Sequence, residues 1–103
     1  MNTALLSFTK AIADAGVADG IQVNAVNPGP VRTARLARRL AATADRLGID
    51  TSEAESRMVA GANIIRMGEP ADVANLVSFL VSAEGRWLHG SLIGIDGGET
   101  RTI

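Results

Sequence analysis

Apolar residues recur along this chain in two rhythms. Between Thr3 and Ala15, Leu5, Phe8 and Ile12 return near helical spacing, and Ala4, Ala11 and Ala15 are small enough to let a neighbour approach, which predicts a helix packed on another element. Gly16 and Gly20 end it. From Ile21 to Val26 the rhythm changes to alternation, with Ile21, Val23 and Ala25 set against Gln22 and Asn24, which predicts a short strand. Asn27-Pro28-Gly29-Pro30 then reads as a strand-ending turn. Beyond it Thr33 is placed to cap a second helix, with Leu36, Leu40 and Leu47 on its apolar side. Arg35, Arg38, Arg39 and Arg46 solvate its other face, and Gly48 stops it.

Ser52-Glu53-Ala54-Glu55 fits a capping box, in which hydroxyl and carboxylate satisfy free amide donors, and predicts a short helix to about Ala60. Pro70 suits a first helical position, and Val73, Leu76, Val77 and Leu80 form an apolar stripe behind it. After Gly85 and Gly90, Ser91 to Ile95 reads as a second strand closed by Asp96-Gly97-Gly98, with the final residues expected to be loose. Strand, helical excursion, helix and strand form a crossover, so the two strands are expected to be parallel members of an α/β sheet. Two strands are too few for such a sheet, and the edge of Ile21 to Val26 predicts a missing neighbour.

Composition narrows the functional classes. A chain of 103 residues is one domain at most, and burying only ~60–65% of its unfolded surface leaves it a modest core. With 47% hydrophobic and only 3% aromatic residues and a net charge of −1, it lacks the basic surplus and stacking rings that nucleic acid requires. There is no cysteine, and His89 alone builds no zinc centre. No apolar window approaches a membrane span, and no signal peptide opens the chain, so it reads as soluble and cytoplasmic. Asp96-Gly97-Gly98 is read as a turn without chemistry. His89 is read as a surface or interface residue, the arginines at 35, 38 and 39 as a solvated face, and Trp87 as a packing residue.

Three blocks carry more than their separate signals: VNAVNPGPVRT, RMGEPADVANLVSFLVS and HGSLIGIDGG. In this order and spacing they resemble the C-terminal third of short-chain dehydrogenases/reductases. The resemblance implies a doubly wound Rossmann-type sheet using NAD or NADP, of which residues 1–103 form a single partial domain, a truncated oxidoreductase. Ile21 to Val26 and Ser91 to Ile95 would be its sixth and seventh parallel strands. The opening NTALLSFTK resembles the helix that follows the family's catalytic Tyr-x-x-x-Lys, with Asn2 at the lysine position and the tyrosine falling before Met1. The chain contains no tyrosine, and its only lysine is Lys10. The resemblance therefore assigns no catalytic residue and no metal ligand here. It implies a cofactor-binding set of Pro28, Gly29, Val31 and Thr33: Val31 meets the carboxamide through its backbone, Pro28 and Gly29 shape the turn, and Thr33 lies near the pyrophosphate. Pro28 fixes φ, Gly29 permits close approach to a flat ring, and a helix start at Thr33 favours anions. Residues 33–66 would match the family's substrate lid. The implied partners are a homo-oligomer or a missing N-terminal half; a second expectation is a non-catalytic remnant that self-associates or docks on a full-length relative.

Overall fold

The computed structural model describes residues 3–100. The expectations for Asn2 and for the last residues after Thr100 lie outside them. Helix α1 (Thr3–Gly16) buries Thr9, Ala13 and Gly16. The predicted packing stripe is corrected: Phe8 is 63% and Ile12 40% exposed. The buried face is the small-residue one, because α1 lies against the loop before the last strand at a distance that leaves no room for larger side chains. A Cβ on Gly90 would stand 3.3 Å from the Ala13 Cβ, and one on Gly16 would stand 2.9 Å from the Ile21 carbonyl oxygen.

Strands β1 (Ala25–Pro28) and β2 (Leu92–Ile95) pair in parallel, with Ala25 opposite Leu92 and Pro28 opposite Ile95. The expected strand over Ile21 to Val26 is thus displaced toward the turn. Ile21 to Asn24 do not join the ladder because their polar groups are engaged elsewhere. The Gln22 amide donates to the carbonyls of Leu80, Gly85 and Leu88 at 3.0, 2.8 and 2.9 Å, and Asn24 donates to Leu88 and accepts from the Ser91 N–H. Pro28 is tolerated within β1 because Ala25 and Gly29 are the positions whose N–H groups donate to β2. Parity then points the missing N–H of Pro28 to the open side. All strand residues but Pro28 and Gly94 are only half-buried, unlike a parallel sheet covered on both faces.

Between the strands, α2 (Ala34–Leu47) and α3 (Thr51–Ala62) fold as a helical hairpin sealed by Leu36, Ala44 and Ala54. Thr33 caps α2 by accepting from the Leu36 N–H at 3.2 Å, and Gly48 ends it with φ 68°. The cap of α3 is Asp50, not Ser52: its carboxylate takes the Glu53 N–H at 2.8 Å, and the helix runs two residues past Ala60 to a left-handed Asn63. Helix α4 (Pro70–Leu80) starts at Pro70 as expected and buries Leu80, while Val77 is 44% exposed. Trp87 packs on nothing in the described residues, being 98% exposed. No described helix is long and apolar enough to cross a membrane.

Candidate functional site

The end of β1 is where the chain brings its candidate residues together. Gly29 donates to the Ile95 carbonyl at 3.0 Å, closing the ladder, and a Cβ placed on it would fall 2.6 Å from the Asp96 Cβ and 2.8 Å from its Cα. Pro30 and Arg32 then bridge Gly68: the Gly68 N–H donates to Pro30 O at 2.9 Å and the Arg32 N–H to Gly68 O at 2.8 Å. Val31, between them, turns its own N–H away from that bridge. This N–H has no partner among the described residues.

Pro28, Gly29, Val31 and Thr33 line one shallow apolar cleft of about 610 Å³ with Pro70, Val73 and Ala74. The wall is built by the β1 end and the first turns of α2 and α4. No titratable side chain lines it. The cleft therefore combines apolar walls with a hydroxyl and a helix N-terminus, beside a backbone N–H of Val31 that has no partner among the described residues, which suits binding and orientation and supplies no acid or base.

A second cavity, of about 250 Å³, lies across the Val31–Gly68 bridge between Ile65, Arg66, Asp72, Asn75 and Asp96. Its Arg66 and Asp72 charges are already paired. Arg66 forms a two-point contact with Asp72 at 2.8 and 2.9 Å and donates to Met67 O at 3.0 Å. The Arg66 guanidinium, helped by the Glu69 N–H, holds the Asp72 carboxyl down to about 2, and Asp72 in turn raises Arg66. Hydrogen bonds from the Thr100 hydroxyl and from the Gly98 and Thr100 N–H groups lower Asp96.

Several structurally central residues were not candidates from sequence. His89 is half-buried rather than superficial: Nδ1 accepts the Val23 N–H at 3.3 Å and Nε2 sits 2.7 Å from Ala13 O, which assigns the proton to Nε2. Gln22 and Asn24 read only as the polar positions of an alternating strand. Arg32 carried no signal at all, yet it contacts both Glu55 and Glu69, and the Glu55 contact above all, then Glu69, raises its pKa. The arginines at 35, 38 and 39 are exposed, as a solvated face requires.

The family model described as Enoyl-(Acyl carrier protein) reductase matches residues 2–100. Acetoacetyl-CoA reductase of Shinella zoogloeoides is 35% identical over 94 residues, covering 91% of this chain and 35% of that protein. L-sorbose reductase from Gluconobacter frateurii, solved with NADPH and L-sorbose, superposes with TM-score 0.88 at 30% identity, over 97% of this chain and 38% of its own. A 4-hydroxyisoleucine dehydrogenase complexed with NADH superposes with TM-score 0.68 at 28% identity, over 94% of this chain and 35% of its own. The chain spans only 35–38% of the length of these proteins.

Proposed function

This chain belongs to the short-chain dehydrogenase/reductase family, as the C-terminal part of its doubly wound parallel α/β sheet, and from that premise we propose that it forms the nicotinamide side of an NAD(P)-dependent oxidoreductase site for a carbonyl or alcohol substrate. The observation that carries this reading is the convergence of Pro28, Gly29, Val31 and Thr33 on one cleft with the unpartnered Val31 N–H. A nicotinamide cofactor, when bound, supplies the hydride. Val31 holds the carboxamide through its backbone, Pro28 and Gly29 bound the ring, and Thr33 with the start of α2 faces the phosphates. The 33–66 segment covers the substrate.

The general acid, the phosphate loop and the remaining strands come from polypeptide beyond these residues, so residues 1–103 alone are inactive. Titration of the labelled chain with millimolar nicotinamide mononucleotide is expected to shift amide resonances at 28–33 and the start of α2. NADH and NADPH are expected to give no micromolar binding heat. Shifts scattered over the surface, or micromolar affinity for the isolated chain, would sink the reading.

A second reading is favoured by the exposed Trp87, Phe8 and Val81: a non-catalytic module that covers its apolar faces and open β1 edge by self-association or by docking on a full-length relative. Both readings share a need for cover. They differ in whether the cleft binds nicotinamide.

A further inference from the structure

The guanidinium of Arg32 ties three segments together. It makes a two-point contact with Glu55 of α3, from Nη1 to Oε1 and from Nη2 to Oε2, the latter at 3.0 Å, while Nε donates to Glu69 Oε1, at the start of α4, at 2.7 Å. The α2–α3 hairpin otherwise packs chiefly on itself, and its root is pinned by Ile64, Met67 and the Ile65 N–H to Gly97 O bond. Among the described residues, Arg32–Glu55 is the one ion pair joining the hairpin to the rest of the chain. Arg32 also lies in the groove between α2 and α3, beside Leu40 and Ser52.

We propose that Arg32 is a positioning residue: a clamp that fixes the α2–α3 hairpin to the wall of the cleft, so that hairpin and wall move as one unit. Its two chain neighbours make that coupling direct. Val31 supplies the cleft's backbone donor, and Thr33 both lines the cleft and caps α2. A lone exposed ion pair contributes little. Here one guanidinium, ordered once, serves both carboxylates, Glu55 through its two-nitrogen fork and Glu69 through Nε, and Glu55 is only 24% exposed against 49% for Arg32. Hairpin motion that breaks the clamp pulls on 31–33, and by reciprocity a ligand filling the cleft favours the clamped hairpin. The ligand arm rests on the nicotinamide reading; the clamp itself does not.

Hydrogen exchange on the full chain, read by mass spectrometry, tests this. In Glu55→Gln and in Arg32→Ala, amides of α2 and α3 are expected to exchange roughly three- to ten-fold faster, with α1 unchanged in both and α4 unchanged in Glu55→Gln, which leaves the Arg32–Glu69 contact in place. The double variant should exchange no faster than Arg32→Ala, since Arg32→Ala already removes the Glu55 contact. Arg32→Lys should recover only part of the protection, because an ammonium cannot serve two carboxylates in fork geometry. Unchanged hairpin exchange, equal acceleration in all elements, or additive effects in the double variant would each overturn the clamp. Glu55→Gln, an uncharged isostere, keeps the test open if Arg32→Ala fails to fold. Nicotinamide mononucleotide should slow hairpin exchange in the unmutated chain. If it does not while the variants behave as expected, the clamp is supported and the cofactor reading fails.

Discussion

Asp72 shows how much one side chain does at the start of α4. Its carboxylate accepts the Glu69 N–H at 2.7 Å and pairs with both terminal nitrogens of Arg66, so it caps a helix and closes the 66–72 loop together. The carboxyl is held at about 2, against an ordinary 3.8. A depressed folded value means the contribution is complete above the ordinary value and is lost as pH falls toward 2. Asp72→Asn is therefore expected to lower stability at pH 7 and to flatten the acid limb between pH 4 and 2 in a circular-dichroism titration. Identical acid limbs in the two proteins would exclude this role. Local signals at such positions were legible in the sequence: Thr33 and Gly48 act through bonds to residues within one turn, and Pro70 through its fixed φ at the first helical position. Gly29 was also found, but Asp96 crowds its Cβ position, so the close approach of the strand ends by itself demands glycine there.

At the scale of elements, the patterns of the sequence located the four α-helices and the second strand, placed the first strand too early, and missed what holds the elements to one another. The reason is sequence separation. Gln22 reaches carbonyls 58 to 66 positions away, and His89 reaches back 76 positions to Ala13. An alternating pattern gives no sign of such bonds. One amide nitrogen with two hydrogens faces three carbonyls, so Gln22 holds the end of α4 and the 85–88 turn against the segment before β1. Gln22→Ala is expected to cost about 2–3 kcal/mol, because the partly sheltered carbonyls lose their donor and gain no replacement. Gln22→Glu should be at least as damaging, since a carboxylate would face those oxygens. Urea unfolding followed by circular dichroism measures both, and a Glu variant as stable as the unmutated chain would refute the account. The same long-range packing selected the Thr9–Ala13–Gly16 face of α1 over the larger Phe8 and Ile12.

The whole molecule carries more surface than its mass accounts for. Its accessible area is 7034 Å² and its radius of gyration 17.0 Å, with extents of 57 × 27 × 21 Å. A compact chain of 10.7 kDa would expose about 5,500 Å² and have a radius near 13 Å by size scaling. The excess of about 1,500 Å² per chain corresponds to an interface of obligate size when matched by an equal partner area. Its apolar part is distributed over Phe8 and Ile12 on α1, Val77 and Phe79 on α4, and the Val81 and Trp87 turns, on elements that flank the sheet. The sheet ends at β1, whose outer edge offers backbone groups interrupted by Pro28. The composition already implied a modest core, but it gave no sign of which faces stay uncovered, since Leu, Val and Ile serve a core and an interface equally well. Sedimentation velocity at micromolar concentration is therefore expected to show the isolated chain as an oligomer or as an expanded, weakly folded species. Supplying a polypeptide that provides the family's remaining strands should convert it to a compact complex. A stable, compact monomer of 10.7 kDa would mean that the exposed faces need no cover, and would count against both proposed readings of the chain.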